Sequence, residues 1–305
     1  MTTLPDPALA QALNSTTVRP EKSAEAPAAL RLMRGAVRVI GSASPDAAAA
    51  VAVRAFGTPR RRARPAAEHE VLERAKRRFT VPLDDRSIAA WEWGEAGPRV
   101  VLMHGWEGRA AQLGEMIEPL TELGFRVVGF DAPAHGDSTG STTHFLDFGR
   151  ALEAVIDHVG PVHAVIGHSM GAAVMSWKAR SRPLAKRYVA IAPPRAVSDF
   201  ARTFEDMVAM EPEVRVAFEQ RLDRILGVPL TSIRSDAGGY PVAPLLVIHD
   251  ERDREVPFVC GETLARSWPG AHLHRTSGLG HQRILRDPSV VEIVRRFVAW
   301  GGLPE

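Results

Sequence analysis

Short apolar runs that alternate with helical patterns from about residue 70 onward constrain the fold of this chain most strongly. Several runs are rich in β-branched residues, as strands buried on both faces are, and a strand followed repeatedly by a helix builds a parallel sheet. The alternation therefore predicts an α/β fold. The predicted strands cover residues 79–83, 88–93, 100–104, 126–131, 164–167, 188–192, 245–249 and 271–276, and the predicted helices lie near 110–123, 143–158, 170–181, 257–268 and 288–300.

A Gly-x-Ser-x-Gly string, residues 167–171, stands where one predicted strand gives way to a helix. Taken alone, such a string is weak evidence, so its context decides its meaning. Here the apolar run 162–166 precedes it and small residues follow, which suits a sharp strand-to-helix turn whose crowded backbone excludes larger side chains. We therefore expect Ser169 to be a nucleophile, in preference to a serine that only caps the helix.

A nucleophilic serine requires a base and an acid that holds the base, and in this type of fold both follow the serine along the chain. Four carboxylates lie just beyond the strand 245–249, of which Asp253 is the predicted acid. Asp250 is closer to the strand and is the alternative, with a second possible role in bonding turn amides. The glycine-rich loop before His281 can carry an imidazole back toward Ser169, so His281 is the predicted base.

Negative charge that develops on an attacked carbonyl oxygen needs preorganised donors, which in this arrangement are backbone amides. The third predicted strand ends in His104-Gly105-Trp106, and Met170 follows the serine directly. The amides of Trp106 and Met170 are therefore the expected oxyanion hole. For the indole of Trp106, the sequence leaves two roles open: a wall of the acyl pocket, or packing alone.

These motifs resemble those of bacterial α/β-hydrolases of the esterase-like serine hydrolase type, over roughly residues 76–300. One local departure is His135, where many relatives have Arg or another residue before the glycine, and it changes no catalytic position. The resemblance rests on His104-Gly105-Trp106, on the stretch Asp131-Ala132-Pro133-Ala134-His135-Gly136-Asp137-Ser138, on the serine string, on Asp253 before Val256-Pro257, and on Gly280-His281.

The resemblance implies a mostly parallel eight-stranded sheet flanked by helices, with a small helical cap. It also implies the triad Ser169, Asp253 and His281, and acyl transfer to water without a cofactor. We therefore expect a carboxylic-ester hydrolase that acts on a small-molecule ester through an acyl-enzyme. Thioester hydrolysis, or acyl transfer to another acceptor, uses the same machinery and stays open. A small-molecule receptor that retains the triad is the alternative from another functional class.

Outside the shared motifs, the sequence predicts a flexible tail over residues 1–28 and a helical extension over 29–75. The catalytic domain is expected to span 76–305, with a cap insertion at about 194–241. That insertion could be a lid or a packed insertion without a role in binding. The extension carries basic helices and an arginine-rich stretch, residues 60–64, which could face a membrane surface or an acidic partner, or simply water.

Composition excludes several other classes of protein. The 305 residues carry a formal charge of only +2. This charge is too small to indicate that the protein binds nucleic acid. The one cysteine, Cys260, rules out an internal disulfide and is expected to be a small buried residue. No histidine or cysteine grouping has metal spacing, and no apolar run reaches about 18 residues. The first residues lack the basic start and apolar core of a signal peptide, so we expect none. The expected location is the cytoplasm; the oligomeric state stays open.

Overall fold

An eight-stranded sheet is the central feature of the computed structural model, which describes residues 27–300. Each strand coincides with one of the eight predicted runs to within three residues at either end, so these predictions are confirmed. The strands are β1 (Arg77–Leu83), β2 (Arg86–Trp93), β3 (Arg99–Met103), β4 (Arg126–Phe130), β5 (Val162–His168), β6 (Arg187–Ile191), β7 (Leu245–Asp250) and β8 (His272–Thr276).

The strand order across the sheet is β1-β2-β4-β3-β5-β6-β7-β8. Strand β2 runs antiparallel to both neighbours, and all pairs from β4 to β8 are parallel. The carboxyl ends of β3 to β8 therefore meet at one edge of the sheet. In open α/β sheets this is the edge at which ligands bind.

Burial follows the position of each strand in the sheet. The interior strand β7 is buried at all six residues, whereas the outermost strands β1 and β8 alternate between exposed and covered positions. An apolar core formed by β-strand and helix residues explains the continuous apolar runs of the interior strands. This core includes Trp91, Leu102, Ile166, Ile248 and Phe297.

Helices account for most of the remaining described residues, including each helix that the sequence predicts. The segment 110–116 is a 3₁₀-helix rather than the start of an α-helix, and Ala66–Glu73 is a helix that the periodicity did not indicate. The α-helices are α1 (Ala28–Ala43), α2 (Pro45–Phe56), α3 (Ala66–Glu73), α4 (Ile117–Glu122), α5 (Phe145–Val159), α6 (Met170–Ala179), α7 (Val197–Met207), α8 (Pro212–Leu226), α9 (Phe258–Ser267), α10 (Gly280–Arg283) and α11 (Pro288–Trp300).

Two compact units share these elements. The larger consists of Arg54–Val197 and Val228–Glu305 and contains the whole sheet. The smaller combines the described residues up to Val53 with Ser198–Gly227. Within it, Arg34 Nε donates to the Met207 carbonyl over 2.8 Å, and Arg221 pairs with Asp46. The first two helices thus pack with the predicted insertion, while the arginine-rich stretch belongs to the larger unit.

The domain boundaries predicted from the sequence remain a prediction. The predicted flexible tail, residues 1–28, lies outside the described residues except for its last two positions. Cys260 is buried and 8% exposed, which confirms the expectation for this residue. Within residues 27–300, every helix falls short of the length or the apolarity needed to cross a membrane.

Candidate active site

Ser169 occupies a sharp turn between β5 and α6. Its backbone has φ of 52° and ψ of −122°, a left-handed conformation that costs a residue with a side chain about 1–3 kcal/mol. Two hydrogen bonds hold the turn: Ser169 N donates to the Ile191 carbonyl over 2.9 Å, and Ala173 N donates to the Ser169 carbonyl over 3.1 Å. These bonds hold the strained turn, and the turn presents the Ser169 side chain at the carboxyl edge of the sheet.

The glycines around Ser169 are required by close backbone contacts. A Cβ atom at Gly171 would lie 2.5 Å from the His104 carbonyl oxygen, and one at Gly167 would lie 2.7 Å from the backbone of Ala172. A Cβ atom at Gly105 would approach Ser169 Cβ to 2.8 Å. These distances are shorter than real Cβ contacts, so α6 and the loop after β3 can approach the serine only because all three residues are glycine.

Asp253 and His281 are brought together although 28 residues separate them. Asp253 Oδ2 accepts a hydrogen bond from His281 Nδ1 over 2.7 Å, and Asp253 Oδ1 accepts from the amides of Glu255 and Val256 over 2.8 and 2.9 Å. Both side chains are buried. Since His281 Nδ1 donates its proton, Nε2 of the neutral ring is left as the basic nitrogen.

The Asp253 carboxylate stays ionised in this buried position. Burial raises its pKa, but hydrogen bonds from His249, His281 and the Val256 amide lower it by more. The net pKa therefore lies well below the usual range of an aspartate. His249 Nε2 lies 3.5 Å from Asp253 Oδ2 and 3.0 Å from the Val256 carbonyl oxygen, so we regard that carbonyl as its main partner. An ionised carboxylate is the form that orients an imidazole and stabilises its protonated state.

Asp250, the alternative acid, bonds elsewhere. Its carboxylate accepts hydrogen bonds from Leu279 N and Thr276 Oγ1, each over 2.9 Å, and from Gly278 N over 3.2 Å. Although burial raises the pKa of Asp250, hydrogen bonds lower it overall, the largest of them from the Leu279 amide and from Thr276. Asp250 therefore ties the end of β7 to the turn that carries His281, and within residues 27–300 it makes no hydrogen bond with the imidazole.

His168, the residue before Ser169, contacts His281. His168 Nε2 lies 3.0 Å from the His281 carbonyl oxygen, and the two imidazole rings are 4.7 Å apart. Burial lowers the pKa of His168 to about 3, as does the nearby His281, so the neutral ring donates its Nε2 proton to that carbonyl. Among the described residues, Ser169 Oγ makes no hydrogen bond with His281. Such bonds often tighten only when substrate is present.

The two predicted oxyanion amides have no competing acceptor. Across residues 27–300, neither Trp106 N nor Met170 N donates a hydrogen bond to another group of the chain. The Trp106 indole packs with its edge against His135, at 5.3 Å between ring centroids, and stacks on Phe148 at 6.4 Å. The packing role of this indole is therefore observed, and its role as a pocket wall stays a prediction.

Two buried histidines hold the loop that contains Trp106. His104 Nε2 accepts from Ala132 N over 2.9 Å, and His135 Nε2 accepts from Glu107 N over 3.0 Å, so in each ring Nδ1 carries the proton and donates to a carbonyl. Burial lowers their pKa values to about 4 and about 3. The sequence predicts no metal-binding group of histidines, but it does not show that each of these two bridges the loops after β3 and β4.

Comparisons with known proteins agree with this architecture. A family model described as alpha/beta hydrolase fold matches residues 98–215, and a second, described as TAP-like protein, matches residues 229–305. The lysophosphatidylserine lipase ABHD12 of Gallus gallus is 27% identical over 242 residues, covering 70% of this chain and 60% of that lipase. The monoacylglycerol lipase of Mycolicibacterium smegmatis is 23% identical over 244 residues, covering 66% of this chain and 86% of that enzyme.

A crystallised esterase from Pyrococcus furiosus matches 81% of this chain and 98% of its own, with a TM-score of 0.60 and 20% identity. With the strand order and the family matches, this similarity shows that the chain has the α/β-hydrolase fold, as its motifs predicted. The similarity includes an animal enzyme, so it is not confined to bacterial proteins. The chain spans about three fifths of the length of the Gallus gallus relative.

Proposed function

We propose that this protein, a chain with the α/β-hydrolase fold, is a serine hydrolase that cleaves a carboxylic ester through an acyl-enzyme. The observation that carries the proposal is the 2.7 Å hydrogen bond from His281 to a buried, ionised Asp253, at the sheet edge where Ser169 is presented on its strained turn. A base, its orienting acid and a nucleophile at one edge are the parts that acyl transfer needs.

In the first half of the reaction, Ser169 Oγ attacks the ester carbonyl carbon while its proton passes to His281 Nε2. The carbonyl oxygen becomes an oxyanion, and the free amides of Trp106 and Met170 are the donors proposed to stabilise it. Asp253 stabilises the imidazolium that forms. Collapse of the tetrahedral intermediate breaks the bond to the alkoxy oxygen, which takes the proton from His281 and leaves as the alcohol.

In the second half, water replaces the alcohol. His281 Nε2 takes one proton from the water as its oxygen attacks the acyl carbon, and the same two amides stabilise the second oxyanion. When this intermediate collapses, the bond to Ser169 Oγ breaks and the serine regains its proton from His281. The acid leaves and the free enzyme returns, so no redox partner or cofactor enters the balance.

The names of the relatives support an ester of an acyl chain as the substrate. A lysophosphatidylserine lipase and a monoacylglycerol lipase are both similar to this chain, and they differ in whether the alcohol carries a phosphate. Thioester hydrolysis would use the same residues and stays the alternative within enzymes. The cytoplasmic location that the sequence predicts also stays a prediction.

Turnover of nitrophenyl esters of increasing acyl length tests the proposal. We expect hydrolysis by the native chain and a loss of at least about a thousandfold in kcat for Ser169→Ala, because the covalent route is removed. Ser232→Ala, at an exposed serine on a separate turn, is the matched control and should retain the native rate. Equal rates in the native chain and Ser169→Ala would refute the proposal.

A parallel series of acyl thioesters separates the two candidate reactions. A higher kcat/KM for thioesters than for oxygen esters of the same acyl chain would replace the ester hydrolase by a thioesterase. Binding of esters without any turnover, in a chain with native Ser169, would instead favour the triad-retaining receptor.

A further inference from the structure

A cavity of about 220 Å³ opens beside the loop that carries Trp106. Its walls come from three segments of the larger unit and from His69 on α3; the segments are residues 59–64 before β1, the loop after β3 at 107–109, and the loop after β4 at 134–137. Trp106 directly precedes Glu107, which lines the cavity, so the cavity lies one residue from a proposed oxyanion donor.

Arginine dominates the walls of this cavity. Three of its five arginines pair with four carboxylates, namely Glu107 and Asp137 in the walls and Glu68 and Asp131 outside the lining. Arg109 pairs with Glu68, and Arg64 pairs with Asp137 and Asp131. The arginines that line the cavity are Arg60, Arg61, Arg62, Arg64 and Arg109.

Three of these arginines keep a terminal nitrogen that no group of the chain uses in residues 27–300, and the buried Nε of Arg64 also has no partner there. The Arg60 guanidinium donates only its Nε proton, to Glu107. The Arg61 guanidinium donates from Nε and from one terminal nitrogen, to the carbonyls of Ala134, Ser138 and Gly140. The Arg62 guanidinium makes no hydrogen bond in this part of the chain. Neither Arg61 nor Arg62 hydrogen-bonds to a carboxylate, so the excess positive charge lies on them.

The arginine-rich stretch is held in place although it is neither helix nor strand. Arg109 donates to the Arg62 carbonyl over 3.1 Å, Arg60 N donates to Glu107 over 3.2 Å, and Arg64 donates to Asp137 over 3.0 Å. Burial raises the pKa of Glu107, but its bonds with Arg60 lower it overall, so this partner remains charged. Because this stretch is tied at successive residues, binding has to order the free arginine side chains but not their backbone.

We propose that this cavity binds a phosphate group, carried by the ester substrate or present as the free ion. Guanidinium groups match the oxygens of phosphate through paired, charge-assisted hydrogen bonds. A phosphate monoester offers three terminal oxygens and nearly two negative charges, whereas a carboxylate offers two oxygens and one charge. The three arginines with free terminal nitrogens therefore suit phosphate better. The substrate-borne form of the proposal rests on the proposed hydrolase function.

Calorimetric titration of the full chain with inorganic phosphate, at constant ionic strength, tests the cavity itself. We expect one phosphate to bind with a Kd below about 1 mM, and Arg62→Gln to weaken that binding about tenfold. Arg266→Gln removes the same charge from an exposed position on α9 and should leave the Kd unchanged. Acetate should bind more weakly than phosphate. This titration needs no catalysis, so it stands even if Ser169 proves inactive.

A kinetic arm identifies the source of the phosphate. The ratio of kcat/KM for a 1-acylglycerol 3-phosphate to that for the same 1-acylglycerol should fall about tenfold in Arg62→Gln and stay constant in Arg266→Gln. An unchanged ratio alongside weakened phosphate binding would assign the cavity to the free ion. Absence of phosphate binding by the native chain, or equal weakening in both variants, would overturn the proposal.

Discussion

Two aspartates three residues apart contribute to the site in different ways. Asp253 contacts the imidazole of His281, and Asp250 accepts the amides of the turn that carries this histidine. Sequence reasoning could select Asp253 because it lies beyond the strand end, and could suggest amide bonding for Asp250. It could not predict that Asp250 bonds the turn before His281, because no local motif shows which backbone amides a carboxylate at a strand end will meet.

Substitution of these aspartates should separate orientation of the base from support of its loop. Asp253→Asn should lower kcat by about three to four orders of magnitude, because an amide can hold the wrong tautomer of His281 and cannot stabilise the imidazolium. Asp250→Asn should lower the free energy of unfolding by about 1–3 kcal/mol with a much smaller change in kcat, since turn amides lose an acceptor. Ester turnover and urea unfolding measure the two effects; a larger loss of kcat in Asp250→Asn would reverse the assignment.

At the scale of elements, the contact between α6 and the loop after β3 shapes the nucleophile turn. Gly171→Ala would bring a Cβ atom to 2.5 and 2.6 Å from the carbonyl oxygens of His104 and Met103. Because backbone atoms cannot move aside cheaply, we expect a loss of about 3 kcal/mol in the free energy of unfolding and a reduced kcat. Urea unfolding and ester turnover of the same preparation measure both.

Gly35→Ala is the matched control for this helix–loop contact. Gly35 lies within α1, and a Cβ atom there would have no neighbour within 4 Å. Alanine is favoured over glycine in a helix, so this variant should gain about 0.5–1 kcal/mol. If Gly171→Ala were as stable as Gly35→Ala, the close contact would not govern the turn.

The sequence predicts the strands of the sheet well, but it predicts poorly which distant segments of the chain contact each other. Apolar periodicity located all eight strands because each is a local run, and the turn around Ser169 followed from its small neighbours. The pairing of the first two helices with Ser198–Gly227 joins segments more than a hundred residues apart. Likewise, the sequence predicts residues 60–64 only as a basic loop. It does not predict their partners, because the carbonyls and carboxylates that bind these arginines come from loops far along the chain.

At the scale of the whole molecule, three buried histidines link stability to pH. The pKa values of His104, His135 and His168 fall from 6.5 to about 4, about 3 and about 3, chiefly through burial. The unfolded chain therefore binds more protons than the folded one below about pH 6.5. The stabilising contribution is complete above that pH and is lost as the pH falls toward the folded values.

Urea unfolding between pH 7.5 and pH 4.5 should reveal this dependence. Each histidine adds up to about 1.4 kcal/mol of destabilisation per pH unit once its unfolded form is protonated. His168→Gln should flatten the slope by about one proton, because Gln does not titrate. A free energy of unfolding that stays constant from pH 7 to pH 5 would contradict the neutral, buried state of these rings.

Covalent labelling tests most directly whether the strained serine is the nucleophile. After incubation with a fluorophosphonate, peptide mass spectrometry should find one adduct, on Ser169. The adduct should be absent from Ser169→Ala, present in Ser232→Ala and much slower to form in Asp253→Asn, where His281 is poorly oriented. An adduct on another residue, or native labelling of Ser169→Ala, would contradict the proposed site.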